Sequence, residues 1–271
     1  MATTETTTLK ISHHFRALVV LGLALAASLL AEAAKPAHAS LGTLIVNSTG
    51  DQSDATILDE QCDVNLATAG NQCTFRVALE NADFFSGLDV INFNIPGSGV
   101  HTIKPTSPLF FITSPVIIDG YTQPGAIPNT LAKGDNAVLK IELDGSNLGF
   151  NDGLHISDLA NDSVIRGLVI NRFGNNGIRI SGQNTKVEGN FIGTDPSGTT
   201  AKPNTNQGVL IRPFGNSVPI NNTIGGERPD KRNVISGNFG SGVQIEDDSN
   251  KVVGNLKGTN RNGTLPPGQR L

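Results

Sequence analysis

The sequence predicts an all-β chain, a parallel β-helix (solenoid) with an N-terminal capping segment containing one short helix. Three observations carry that expectation. Four runs share a glycine followed by apolar, variable and apolar residues: Gly153 to Ile156, Gly177 to Ile180, Gly208 to Ile211 and Gly242 to Ile245. Their two-residue alternation is that of a strand with one buried face. The stretch from Gly177 to Thr199 also aligns without gaps onto that from Gly242 to Thr264, with ten of 23 positions identical at an offset of 65 residues. Repetition on this scale marks stacked units that bury their apolar faces on one another. Finally, short strand-like runs recur between Gly-, Pro- and Asn-rich turns with no helices between them. That pattern excludes helix-linked βαβ units and leaves a sandwich, barrel, propeller or β-helix. The irregular spacing of the glycines favours the β-helix, because a coil tolerates insertion at a corner, as in 193–207.

Composition agrees with this class. The 271 residues include 31 glycines and no tryptophan, and only 37% are hydrophobic, while β-branched residues and turn formers abound. The formal net charge of −4 gives no support for a nucleic-acid surface. No block of five or six like charges forms a tail.

Residues 1–39 read as a secretory signal. Lys10, His13, His14 and Arg16 precede an apolar run from Ala17 to Leu30, and Ala37-His38-Ala39 offers an A-x-A cleavage site. The run falls short of the roughly 20 residues that a membrane span needs, with an uncleaved anchor as the alternative. The mature chain is then expected to begin near Ser40, without a membrane span, and to be secreted or held at the cell surface.

Residues 40–89 are expected to form the cap. Leu41 to Asn47 reads as a strand. Cys62 and Cys73 are the only cysteines, and in an oxidising compartment such a pair is expected to form a disulfide rather than two free thiols. Two cysteines cannot complete a zinc site, and the nearest histidine is His101. Thr74 can cap a short helix in which Phe75, Ala78, Leu79 and Ala82 form one apolar stripe. Such a helix suits the exposed end of a solenoid; binding a partner is its other use.

Residues 90–271 are expected to carry the repeats. Val90 to Ile95, His101 to Ile103, Val116 to Ile118 and Val138 to Leu143 read as strands, the last two separated by a Pro- and Gly-rich loop from Gly120 to Gly134. The run Cys73-Thr-Phe-Arg-Val-Ala78, with Cys62 before it, resembles the CSLREA domain of exported bacterial repeat proteins, keeping its Cys, Arg and Ala and replacing its Ser, Leu and Glu. The segment from Val90 to Gly125 and the phrases IGTDPSGT (Ile192 to Thr199) and RNVISGN (Arg232 to Asn238) are similar to the repeats that follow that domain. The resemblance covers nearly all of the mature chain. It implies a right-handed parallel β-helix of the pectate-lyase type, and little about chemistry.

In-register stacking would place Leu154/Ile156, Ile178/Ile180, Val209/Ile211 and Val243/Ile245 inward. It would align His155, Arg179, Leu210 and Gln244 in one outward row and Ser157, Ser181, Arg212 and Glu246 in the next. His155, Arg179, Arg212 and Gln244 are therefore the candidate exposed binding face, and Arg212 is expected to pair with Glu246. Asn190, Asn238 and Asn255 each follow a glycine and are expected at one corner, stacked as an amide ladder or acting as separate turn residues.

Catalytic signals are weak. The adjacent acids Asp247-Asp248, within Glu246-Asp-Asp-Ser-Asn250, read as a solvated turn rather than as the carboxylates of a hydrolase. Gly177-Ile-Arg-Ile180 is partly similar to the Arg-Ile-Lys phrase of polygalacturonases, but Ser181 stands where the Lys would be. Calcium is the one cofactor left open, with Asp119, Asp144, Asp152, Asp158 and Asp162 as scattered candidate ligands. His155 reads as surface decoration, and Tyr121 as a loop anchor or a sugar platform. The expected role is adhesion or binding of a polysaccharide or cell-surface glycan without catalysis. The alternatives are a polysaccharide lyase or glycoside hydrolase, and a structural scaffold. The stretch from Pro266 to Leu271 shows no cap pattern, which suggests a truncated chain whose open edge would self-associate end to end.

Overall fold

Why these short runs become strands is clear from the way they stack. A computed structural model describes residues 41–65 and 67–264, so the expected signal sequence and the Pro266 to Leu271 end lie outside the described part. The first strand, β1 (Thr43–Val46), precedes the helix α1 (Phe75–Phe84). The described residues then make six coils. The first contains β2 (Asp89–Phe93) and β3 (His101–Ile103), and the second β4 (Val116–Asp119), β5 (Ile141–Asp144) and β6 (Leu154–Ile156). The third contains β7 (Val164–Arg166), β8 (Leu168–Asn171) and β9 (Ile178–Ile180), and the fourth β10 (Lys186–Glu188), β11 (Phe191–Ile192) and β12 (Val209–Ile211). The fifth contains β13 (Thr223–Gly225), β14 (Val234–Ile235) and β15 (Val243–Ile245), and the sixth β16 (Lys251–Val253) and β17 (Leu256–Lys257).

The first strand of every coil joins β1 in a seven-stranded sheet, the second strands form a six-stranded sheet, and the third strands a four-stranded sheet; all strand pairing is parallel. We call these sheets A, B and C. The fold is strand-rich and solenoid-like, with no closed barrel and one α-helix among the described residues. The 65-residue repeat is two coils, with β9, β10 and β11 matching β15, β16 and β17.

Register makes the core. Sheet A stacks Leu44, Ile91, Ile118, Ile165, Val187, Ile224 and Val252 on consecutive strands. Sheet B stacks Ile103, Leu143, Ile170, Ile192 and Ile235, and ends on Lys257. All but the last member of each stack are buried, and each buried aliphatic side chain contributes roughly 1.5–3 kcal/mol. The replacement of Ile192 by Lys257 in the second repeat copy falls where no further described strand follows.

The N-terminal segment expected to be the cap continues this core. Thr74 Oγ1 accepts from the Val77 amide at the start of α1, and Phe75, Val77, Ala78, Leu79 and Ala82 are buried in one cluster with the sheet aliphatics. The Phe75 ring stacks on Phe93 at 5.9 Å. Buried Arg76 pairs with Asp51 at 3.0 Å and donates to the Ser107 carbonyl at 2.7 Å, fixing the loop that follows β3. Cys62 and Cys73 form a disulfide. The expected boundary at 89/90 falls inside β2, which β1 extends as part of sheet A.

Two expectations about the repeats need correction. The strand expected at Val138 begins only at Ile141, because Val138 instead forms an antiparallel bridge to Ile127. The asparagine corner comprises Asn190, Asn233 and Asn255, each immediately before a sheet B strand, whereas Asn238 follows β14 and joins Asn204 at a different corner. Asn190, Asn233 and Asn255 donate to the carbonyls of Ile165, Val187 and Ile224 at 2.9, 2.8 and 2.8 Å. Each amide thus ties its coil to the one before. Asn233 Oδ1 also accepts from the Asn190 amide at 2.8 Å, and Asn233 Nδ2 donates to Asn255 Oδ1 at 2.8 Å.

The segment between β4 and β5 lies as a strap along the outer face of sheet B. Ala137 and Leu139 pack with outward-facing Val169, Phe191 and Val234 in a second apolar cluster. Tyr121 Oη donates to the Gly189 carbonyl at 2.7 Å, so this residue is the loop anchor. Arg232 donates to the strap carbonyls of Leu131 and Ala132 at 2.9 Å each, and Arg261 donates to that of Ala137 at 2.9 Å while covering the Phe191 ring.

The buried Asn233 side chain bonds the Val187 carbonyl, the Asn190 amide and the Asn255 side chain, and its loss would leave these groups unpaired at about 1–3 kcal/mol each. Asn233→Ala is expected to lower unfolding stability by at least about 2 kcal/mol in urea titration, with exposed Asn216→Ala near zero; equal effects would refute the ladder. Reducing the disulfide is expected to cost roughly 3 kcal/mol in the chain-entropy picture, and an unmoved midpoint would show that the cap does not depend on it.

Candidate functional site

Sheet C carries the predicted outward row, and aromatic rings gather over one end of it. The strands β6, β9, β12 and β15 are the four Gly-led runs, and their register aligns His155 with Arg179, Arg179 with Leu210 and Leu210 with Gln244. Inward Leu154, Ile156, Ile178, Ile180, Val209 and Ile211 are buried, whereas Ile245, on the last strand of the sheet, remains 37% exposed. Ile112 forms a parallel bridge to Ile156, which brings the preceding Phe111 beside His155 and extends the outward row by one coil.

His155 faces outward but is not exposed as expected; only 5% of its surface is accessible. The Phe111 ring covers it at 4.2 Å between centroids. Phe214, from the turn after β12, folds back to lie 6.0 Å from the imidazole and 6.2 Å from Phe111. The Arg179 guanidinium sits over the Phe214 ring at 5.7 Å, an arrangement favourable between a cation and a π face. His155 Nε2 lies 3.3 Å from Ser181 Oγ, while buried Nδ1 has no hydrogen-bond partner; Arg179 Nε is likewise buried and unpartnered.

A pocket of about 210 Å³ opens here, lined by Pro108, Leu109, Phe111, Phe150, Asn151, Asp152, His155, Asn175 and Arg179. Phe150 stands 73% exposed at its mouth. Asp152 Oδ1 accepts from the Asn176 amide and side chain at 3.1 and 2.7 Å. Burial and then the nearby positive charge of Arg179 push the His155 pKa down to about 4, against the weaker pull of Asp152 and Asp158. The imidazole is therefore neutral near pH 7.

The other two candidates do not join this pocket. Arg212 pairs with Glu246 at 2.9 Å, as expected from the register, and Gln244 donates to Glu246 at 2.7 Å while accepting from Gln207 at 2.8 Å. Their polar groups satisfy one another. Of the expected face, then, His155 and Arg179 converge, and Arg212 and Gln244 form a separate network. Sequence reasoning missed Phe111, Phe150 and Phe214. The Phe110-Phe111 pair immediately before Ile112 was the available signal, hidden because that strand is a single bridge.

The carboxylates singled out as calcium candidates are dispersed. Asp119 pairs with Arg166 at 2.6 Å, and Asp144 with Arg172 at 2.8 Å. Burial alone would raise the Asp144 carboxyl, but the Ser146 hydrogen bonds, then Arg172 and Lys104, hold it below its ordinary value. Asp158 and Asp162 are exposed. Among the described residues no group of three or more His, Cys, Asp or Glu side chains gathers, and no helix is long and apolar enough to cross a membrane. Asp247 and Asp248 lie in a turn in which the Asp248 amide donates to Asp247 Oδ1.

Compared with known families, curated proteins and solved structures, the chain matches no family model, no curated protein and no solved structure.

The depressed His155 pKa has a calculable consequence. The unfolded chain binds the imidazole proton near pH 6.5 and the folded chain only near pH 4, so the folded state loses stability as pH falls through that interval and keeps it above. At about 1.4 kcal/mol per unit the full loss is on the order of 3 kcal/mol. His155→Asn is expected to flatten the stability profile between those pH values; equal slopes in the variant and the parent would refute the linkage.

Proposed function

We propose that this chain is an exported, right-handed parallel β-helix of the CSLREA-type repeat class that binds saccharide on the outer face of sheet C, serving adhesion or surface recognition rather than catalysis. One observation carries the reading: the cluster of Phe111, Phe150 and Phe214 around a pocket that also holds Asn151, Asp152, Asn175 and Arg179. Exposed ring faces suit the C–H faces of a sugar, and the amides, carboxylate and guanidinium beside them suit its hydroxyls.

The remaining faces support this choice of surface. The strap covers much of the outer side of sheet B, and on sheet A Arg166 is engaged by Asp119 and Glu188 by Lys231. Export rests on the N-terminal signal pattern in residues 1–39, and the Cys62–Cys73 disulfide suits an oxidising compartment. On this reading residues 40–89 close the N-terminal end of the stack, and residues from 90 onward form the binding coils. Handedness and family rest on the resemblance of the CTFRVA, IGTDPSGT and RNVISGN phrases.

Incubation with a polysaccharide panel, followed by calorimetry and assay of reducing ends, tests the proposal. Binding without bond cleavage is expected, and Phe111→Ala and Phe150→Ala are each expected to weaken it by about three- to tenfold, the size of one ring contact. Release of reducing ends or of an unsaturated product would overturn it in favour of a hydrolase or lyase.

A further inference from the structure

The pocket beside His155 is lined by two residues, His155 and Arg179, that each bury a nitrogen without a partner. Each of the other described arginines is engaged. Arg76, Arg166, Arg172, Arg212 and Arg228 face carboxylates, while Arg232 and Arg261 donate to backbone carbonyls. Arg179 alone among them forms no hydrogen bond or ion pair with the described residues, and its Nε is buried. Its guanidinium lies over the Phe214 ring, which holds it in place without neutralising it. Burying a donor with no acceptor costs stability, so this arrangement is informative where it persists beside an open pocket.

His155 adds the second donor. Ser181 is fully buried, and its hydroxyl lies 3.3 Å from Nε2. Taking the Ser181 hydroxyl as the donor to Nε2, one of the two directions this contact allows, places the ring proton on Nδ1. That nitrogen is buried and has no partner. Both residues line one pocket whose mouth is aromatic, on adjacent strands about 4.8 Å apart.

Such a pair of donors calls for an oxyanion. We infer that the pocket receives a saccharide bearing one acidic group, a carboxylate or a sulfate ester, with the anion held by Arg179 and His155 Nδ1 and the ring against Phe111 and Phe150. This rests on the saccharide-binding reading and narrows its ligand. The remaining parts fit. The volume of about 210 Å³ suits one sugar ring rather than an extended polyanion. Asp152, held by two donors from Asn176, keeps acceptor capacity for a sugar hydroxyl. Gln244 and Arg212 bond to each other's partner Glu246, so the unsatisfied donors end at Arg179.

The test uses an immobilised set of neutral glycans together with their C6-carboxylated and 6-O-sulfated counterparts, probed with the mature chain and variants whose thermal midpoints are measured alongside. The acidic member of at least one set is expected to bind at least tenfold more tightly than its neutral parent. The carboxylated and sulfated arms distinguish the source of the anion. Arg179→Gln is expected to abolish that preference, Arg179→Lys to keep part of it, and Arg228→Gln, remote from the pocket, to leave it intact. Equal binding of neutral and acidic members, or a preference that survives in Arg179→Gln, would overturn the inference and leave saccharide binding standing. Binding to no member would overturn the saccharide reading itself, and this inference with it.

Discussion

In-register parallel stacking is the constraint on which this molecule depends. Each side chain has as its closest neighbours the residues one coil earlier and one coil later, so a choice made at one position is repeated down a column. Aliphatic columns follow from it, since Ile118, Ile165, Val187 and Ile224 can exclude water only by lying on one another. The same geometry makes buried asparagine acceptable. A lone amide inside a coil would leave donors unmet, but Asn190, Asn233 and Asn255 each reach a carbonyl of the preceding coil. It also gathers the candidate site, because Phe111, His155 and Arg179 are far apart in sequence and consecutive in the stack.

The stack gives the molecule three long outer faces with different surroundings. On sheet B the outward row includes Val169, Phe191 and Val234, which reads as a fully buried strand pattern because the strap supplies the second layer. On sheet C the outward row is irregular, changing from aromatic through basic to amide. Loops after β3 and β12 bring Phe111 and Phe214 over it, and the loop before β6 brings Phe150. Irregularity inside a regular column marks the site, since packing alone gives no reason to place an imidazole beneath two phenyl rings.

Much of the scaffold was legible in the sequence because it is local and periodic. The Gly-led runs, the inward aliphatics, the α1 stripe with its Thr74 cap and the Arg212–Glu246 pair could be read from spacing alone. The site was half legible. Register placed His155 and Arg179 side by side, but burial of His155 depends on Phe111 and Phe214, which reach it from a one-residue bridge and a turn that carry no period. The ladder was misassigned for a similar reason. Gly-Asn phrases at 189–190, 237–238 and 254–255 look equivalent, yet the residue's place before or after a sheet B strand decides its corner, and Asn233 follows an arginine rather than a glycine. The strap was legible only as a loop, since its partners lie about a hundred residues away in the chain, as with Arg232 and Ala132.

That strap changes how the stack responds to load. A stack held only by neighbouring coils can be peeled from its end one coil at a time, each step opposed by a single interface. Here Arg232 and Arg261, from the fifth and sixth coils, grip a segment that leaves the second. A pull on the late coils is therefore shared in parallel by the strap and by the interfaces beneath it, as in a bundle tied along its length. Such a tie resists tension by shear rather than by unzipping.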